Sequence, residues 1–316
     1  MKPVFIFSIL LLLAGNSFAQ QLKTIFFKKN GTQVPTMDSA YYIRIISKPD
    51  SGSVLYNVSE FYKGGRQKLT GKSFKVNPLK FEGECLEFYQ NGNKQRISFY
   101  SEDGKLTGQQ TIFYPNGKTY IIRTYNGSDD DFLITANYDS LGKVFVQNGK
   151  GHYKAYDETF KQVDEEGAVK EGKRDGVWKG YSAVPHKANY TENYKDGHLI
   201  NGKAVFDDGQ ITTYTTREVV PQFNGGLNAF SQYLSSSIHY PHDARKQNIQ
   251  GKLVIDFVVD ESGSVTSVKV VRTVCPSIDQ EGVRVITESP KWIPGFQFGR
   301  PVRCAYTIPL AFALPE

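Results

Sequence analysis

Five histidines and three cysteines are the residues of this 316-residue chain most readily built into metal or nucleophilic sites, and their spacing offers little chemistry. His239 and His242 flank Tyr240-Pro241, with Asp243 adjacent. They would share a helical face as i and i+3, but the proline between them disrupts that face, so no metal site is expected. Cys275 and Cys304 lie in the same terminal segment and are either bridged or two separate thiols; with Cys85 the count is odd, so at least one thiol stays unpaired. Gly-x-Ser-x-Gly, His-Glu-x-x-His and a phosphate loop are all missing, and no cysteine has a motif-like histidine partner. The expectation is a non-enzymatic binding protein without a cofactor.

The chemistry left is that of the main chain. From Val302 to Leu314 large side chains (Val302, Cys304, Tyr306, Ile308, Leu310, Phe312, Leu314) alternate with a smaller set containing Arg303, Ala305, Thr307, Ala311 and Ala313, the pattern of a strand with one buried face. Pro309 lies inside this run and cannot donate to a ladder, which places the strand at a sheet edge with the missing N–H on the open side. An open edge beside an apolar layer can accept an extended peptide by strand addition. The proline interrupts pairing at one position, leaving Arg303, Ala305 and Thr307 as the better half of the dock.

The elements that must position this strand begin beyond Arg217. Leu227, Phe230 and Leu234 fall at helical spacing after Gly225-Gly226. Lys252–Val259 and Val265–Val271 alternate as strands around the turn Asp260-Glu261-Ser262-Gly263. Ser277 and Gln280 form a capping box for a helix through about Glu288, ended by Pro290 and carrying Gly282 at a cost of up to about 1 kcal/mol relative to Ala. Trp292 beside Pro294 is expected in the core.

Upstream, from about Leu55 to Tyr214, short aromatic strands are separated by Asn-Gly or Asp-Gly at 91–92, 103–104, 116–117, 126–127, 148–149, 175–176, 196–197, 201–202 and 208–209. Both residues tolerate positive φ, so each dipeptide is expected at a hairpin turn. Gly83 to Gly108, Gly151 to Gly176 and Gly176 to Gly202 are 25, 25 and 26 residues apart, a period that signals an array in which each hairpin buries its aromatic face against the next. The pattern weakens between Gly127 and Gly149.

The first residues carry an address. Lys2 precedes an apolar run, Val4–Ala14, and Ser17-Phe18-Ala19 is a small-x-small cleavage site. As a helix, eleven residues rise only about 16 Å, half of what a bilayer core requires, so a secretory signal peptide is expected rather than an anchor. The net charge of +6 is interspersed with acidic residues, and no basic run is longer than a pair such as Lys28-Lys29, which leaves no nucleic-acid footprint.

The hairpin motif, Gly-x-x-x-x-aromatic-aromatic followed by Tyr-x-x-Gly-x-x-x-Gly, resembles MORN-type repeats of the YwqK antitoxin-like group over roughly half the chain. It implies binding or spacing and no chemistry. The terminal residues Pro221-x-Phe223-x-Gly225-Gly226, Ile238-x-Tyr240-Pro241-x-x-Ala244, Ile249-x-Gly251-x-x-x-Ile255-x-Phe257-Val258-Val259-Asp260, Gly263-x-Val265, Lys291-Trp292-x-Pro294-Gly295 and Pro301-Val302 resemble, in order and spacing, the C-terminal domain of the TonB energy transducer. That resemblance implies a periplasmic module contacting the TonB box of outer-membrane receptors, with Tyr240-Pro241 near the contact and the terminal strand receiving the peptide. The sequence departs from a transducer in having neither a retained membrane helix nor a long Pro-rich spacer, which leaves binding rather than energy transduction.

The organisation expected is therefore a signal peptide over 1–19, a MORN-like β-hairpin repeat array over 20–216, and a small TonB-C-like α+β domain over 217–316. The function expected is a periplasmic adaptor that contacts TonB-dependent receptors or another envelope protein; the alternative is a structural spacer or ligand-binding array.

Overall fold

The computed structural model describes residues 21–128 and 131–314. The signal peptide and its cleavage site lie outside the described residues. Two compact units emerge. The first holds the described residues up to Tyr156 together with Glu166–Asp175, and the second holds Asp157–Glu165 and the described residues from Gly176 onward.

The first unit contains β1 (Gln21–Phe27), β2 (Gln33–Val34), β3 (Tyr42–Ser47), β4 (Tyr56–Tyr62), β5 (Gln67–Val76), β6 (Leu79–Phe88), β7 (Lys94–Tyr100), β8 (Thr107–Phe113), β9 (Thr119–Asn126), β10 (Phe132–Tyr138), β11 (Val144–Gln147) and β12 (Lys150–Tyr156). From β3 onward each strand pairs antiparallel with the next, and β1 pairs with β3. The repeat period reappears as a ladder of side-chain bonds. The hydroxyls of Tyr62, Tyr89 and Tyr114 donate to the carbonyls of Phe88, Phe113 and Tyr138 at 2.7, 2.7 and 2.9 Å. Asn91 and Asn116 add bonds of the same reach, to Pro115 at 2.7 Å and Ser140 at 2.8 Å. Each repeat thus satisfies a carbonyl of the following one, and the ladder continues through the segment where the sequence pattern weakens.

The Asn-Gly and Asp-Gly expectation holds at true two-residue turns. Asn148-Gly149 and Asp196-Gly197 have both φ angles positive, at 49° and 71° and at 51° and 87°, the conformation that matches strand twist. It fails at Asp175-Gly176 and Asn201-Gly202, which lie inside β14 (Lys173–Ser182) and β16 (His198–Phe206). The turn before β14 is Glu171-Gly172 instead. Gly202 is a strand glycine for another reason: a Cβ there would sit 2.3 Å from the Tyr214 ring, so the missing side chain seats a cross-strand aromatic.

The remaining strands of the repeat region are β13 (Val163–Lys170), β15 (Ala188–Lys195) and β17 (Ile211–Tyr214). In the second unit β14, β15, β16 and β17 pair in order. Then follow β18 (Glu218–Val219), α1 (Gly226–Ser237), α2 (His242–Lys246), β19 (Gly251–Val259), β20 (Val265–Arg272), α3 (Pro276–Thr287), β21 (Gly295–Gln297), β22 (Arg300–Val302) and β23 (Cys304–Phe312). Two three-stranded sheets result, in the orders β18-β21-β22 and β20-β19-β23.

The core of the terminal module lies on one face of β19 and β23. Leu253, Ile255, Phe257, Val259, Ile308, Leu310 and Phe312 pack with Phe223, Phe230, Ile278 and Ile286 around Trp292. The Trp292 ring lies within 5.2–5.5 Å of Phe223, Phe230, Phe257 and Tyr306, and its Nε1 donates to the Ser289 hydroxyl at 2.9 Å. Three local expectations are corrected. Leu227 is 82% exposed, because it falls in the first turn of α1 just past the two positive-φ glycines; Tyr233 packs against the core instead and donates to the Val285 carbonyl. The Ser277–Gln280 capping box does not form: Pro276 starts α3 after Cys275, and Asp279 reaches back to accept from the Val274 N–H at 2.9 Å and from the Thr273 hydroxyl. Gly282 is demanded by packing, since a Cβ there would lie 2.2 Å from Leu253 Cδ2.

Candidate functional site

The terminal strand is shorter than the alternation predicts. Val302 belongs to β22, paired with β21; Arg303 breaks the run, and β23 starts at Cys304. The break follows from a change of partner, since one chain cannot continue a single ladder while leaving β21 for β19. From Cys304 on, the expected facing is observed: Ile308, Leu310 and Phe312 are buried and Tyr306 half-buried, while Ala305, Thr307, Pro309 and Ala311 are exposed on the opposite face.

The sheet β20-β19-β23 has two edges, and they are built differently. β23 pairs with β19 in unbroken register over nine positions, from Gly251↔Phe312 to Val259↔Cys304. It carries no charged side chain. β20 pairs with β19 through two register shifts, at Val254/Ile255 and Asp256/Val258, holds Ser267 at a φ of 54°, and presents Lys269 and Arg272. Bulges, exposed cations and edge prolines are devices by which proteins blunt a sheet edge; β20 has the first two, whereas β23 has only Pro309.

Along β23 successive residues aim their N–H and C=O groups alternately at β19 and at the open side. Pro309 stands opposite Val254 in the ladder. With pairing on one side only, its lack of an N–H is harmless where that position faces outward, and Ala305 and Thr307 share its parity. The Thr307 hydroxyl is already engaged, donating to Asp256 Oδ1 at 2.6 Å across the outer face. Arg303 is exposed just before the strand and contributes to holding the Asp260 carboxyl below its usual range, after the Ser262 hydroxyl and the turn amides.

Tyr240 and Pro241 sit elsewhere. Pro241 occupies the N-cap of α2, and its carbonyl accepts from the Arg245 N–H at 2.9 Å. The Tyr240 hydroxyl donates to the Ile249 carbonyl at 2.5 Å, and its ring meets Phe312 edge-on at 5.9 Å. The motif therefore props the Phe312 end of β23, five to seven residues from Thr307 and Ala305, or roughly 17–23 Å along an extended strand. The predicted site residues thus divide between the two ends of one edge. His239 points its backbone N–H at Glu281 Oε1, 2.6 Å away, and among the described residues no group of three or more His, Cys, Asp or Glu could hold a metal ion. Cys85, Cys275 and Cys304 are free thiols.

A second group of residues, missed by reading the sequence, gathers around Glu192. This carboxylate is fully buried on β15 and accepts from Arg217 Nε at 2.9 Å and Nη2 at 2.5 Å, from the Tyr214 hydroxyl at 2.8 Å and from the Tyr194 hydroxyl at 2.9 Å. Burial pushes its carboxyl up, but the Arg217 guanidinium and the two phenols outweigh that and hold it below the usual carboxylate range. Arg217 stacks over Tyr190 at 4.7 Å and Phe298 at 5.6 Å. Only the bare alternation of β15 was available in the sequence as a signal, and it places Glu192 on the buried face beside Tyr190.

Residues 236–314 match the family described as Gram-negative bacterial TonB protein C-terminal. Among solved structures, two solution NMR structures of the Helicobacter pylori TonB-CTD, a longer and a shorter version, are similar. The longer is 24% identical, with 28% of this chain and 81% of that chain covered and a TM-score of 0.24; the shorter is 25% identical, with 28% and 95% covered and the same TM-score. The comparison with curated proteins gives no match. Residues 236–314 thus form a TonB C-terminal domain, preceded by a long antiparallel meander whose geometry is compatible with MORN-type repeats.

Proposed function

We propose that this chain is an exported, non-enzymatic adaptor of the cell envelope whose terminal module takes an extended segment of a partner protein by strand addition along β23, the TonB box of an outer-membrane receptor being the first candidate. The observation that carries this is the contrast between the two edges of one sheet: β20 is bulged and charged, β23 regular and neutral. An edge left regular in a soluble fold is an aggregation hazard unless it has a use, and main-chain bonds to an added strand supply affinity without any pocket. The domain match over 236–314 points to the same class of partner. This reading takes Val4–Ala14 as part of a cleaved signal peptide and so assigns the chain binding rather than the powering of transport. The hairpin array then serves as the spacer or as a second binding surface.

Titrating the whole exported chain with TonB-box peptides, followed by NMR, tests this. Amide shifts confined to Ala305, Thr307 and their neighbours on β23, abolished by Thr307→Pro with the fold intact, are the expected result. No binding at millimolar peptide, or shifts confined to β20, would overturn it.

A further inference from the structure

The β21–β22 hairpin ends in Phe298-Gly299, with φ of 50° and 74°. A turn of this kind favours Asn or Gly at its first position, and a bulky aromatic there is strained. Such strain persists only where the surroundings over-determine it, and here they do. Phe298 is 4% exposed, stacked on Tyr190 at 5.1 Å and edge-on to Tyr214 at 5.6 Å, in a socket completed by Ala188, Ala204 and Phe206. Its backbone is bonded at both groups: the N–H donates to the Arg217 carbonyl at 2.7 Å, and the carbonyl accepts from the Thr212 hydroxyl at 2.5 Å. Gly299 lies so close to β17 that a Cβ would sit 2.9 Å from the Thr213 carbonyl oxygen. On the far side of the tip Arg300 pairs with Asp208 at 2.8 Å and covers the Phe206 ring at 4.8 Å.

We infer that the β21–β22 hairpin is an intramolecular clip that locks the terminal module onto the hairpins β15–β17, so that β23 is held in place instead of being carried on a tether. Arg217, at the boundary expected between the repeat array and the terminal module, is part of the lock. Arg217 is bound to buried Glu192 through its side chain and to Phe298 through its carbonyl. Because β22 leads into β23 through Arg303 alone, the clip also fixes where the acceptor edge begins. The clip stands or falls independently of whether β23 accepts a peptide.

The test uses the whole exported chain. Native protein should resist trypsin at Arg217, and β16–β17 should lose amide protection together with β19–β23 on heating. Phe298→Ala should open the tryptic cut at Arg217 and speed exchange in β16–β17 about tenfold while β19–β23 stay protected, since opening is now local. Native protein already cleaved at Arg217 while both parts remain folded, or Phe298→Ala with unchanged cleavage and exchange, would overturn the inference. Should Phe298→Ala fail to fold, Arg300→Ala decides: faster exchange confined to β16–β17 supports the clip, and no change refutes it.

Discussion

In the hairpin array burial is renewed every repeat, whereas the terminal module gathers its apolar side chains around one residue. The array closes its ledger locally: a tyrosine of one hairpin satisfies a carbonyl of the next, 24 to 26 residues on, and a buried Glu60 is paired with Arg44 at 2.6 Å and Lys68 at 2.5 Å. The module has the opposite plan, with Trp292 touching four aromatic rings contributed by separate elements. Stability in the first plan is a sum of neighbour terms; in the second it is cooperative, and a single truncation is felt throughout. The proposed acceptor edge thus lies in the cooperative part, while length is supplied by the additive one.

Four substitutions would break or sharpen this contrast. Trp292→Ala should cost about 3–5 kcal/mol and unfold the terminal module as a whole, while amide protection in β4–β9 is unchanged; partial, local loss around residue 292 would end the distinction. Glu192→Ala should cost about 3 kcal/mol, near the low end for breaking a buried pair because Arg217 keeps a third of its side chain exposed. The depressed Glu192 carboxyl adds a pH signature. Its contribution is present above the ordinary glutamate value near 4.3 and disappears as pH falls through the lower folded value, so the variant should lose less stability than the native protein over that acid range.

Gly282→Ala is the sharpest test of packing against propensity. Helix propensity favours alanine by about 1 kcal/mol, yet the contact with Leu253 predicts a net loss of about 1–2 kcal/mol; a raised melting temperature would show that α3 can shift off the sheet. Smallest is Tyr89→Phe, which removes one rung of the ladder for about 1 kcal/mol and should speed exchange only in the hairpins it joins. Burial also pushes the Tyr89 phenol up, and that of Tyr62 to about 12. A phenol raised in the folded state stabilises below its ordinary value of about 10 and ceases to as pH climbs through the folded value, so the array should weaken in alkali and each Tyr→Phe change should blunt that limb.

Much of the plan was legible along the chain. Asn148-Gly149 and Asp196-Gly197 announced turns because no other common pair accepts two positive φ angles so readily; Leu253, Ile255, Phe257 and Val259 announced a buried strand face by their period; Pro309 announced an edge. Where reading failed, the deciding residue lay outside the motif that was read. Asn201-Gly202 has the composition of a turn, but the ring of Tyr214 needs the space over Gly202. Ser277 and Gln280 have the spacing of a capping box, but Pro276 and Asp279 take the positions first. Phe298 reads as one more aromatic strand residue, and nothing local reveals the socket made by Tyr190 and Tyr214.

By itself the sequence determined the repeating hairpins, the existence of a terminal α+β module and the candidate edge strand, because these rest on period, turn chemistry and a missing amide proton, all properties of residues close together along the chain. Only the tertiary structure decided that the edge begins at Cys304, that Tyr240-Pro241 props its far end, and that Arg217 and Phe298 join the start of the terminal module to the repeat strands. Those outcomes depend on which side chains meet across long stretches of chain, as Thr212 meets Phe298 at a separation of 86, and such meetings are set by the packing of whole elements rather than by the pattern of any one.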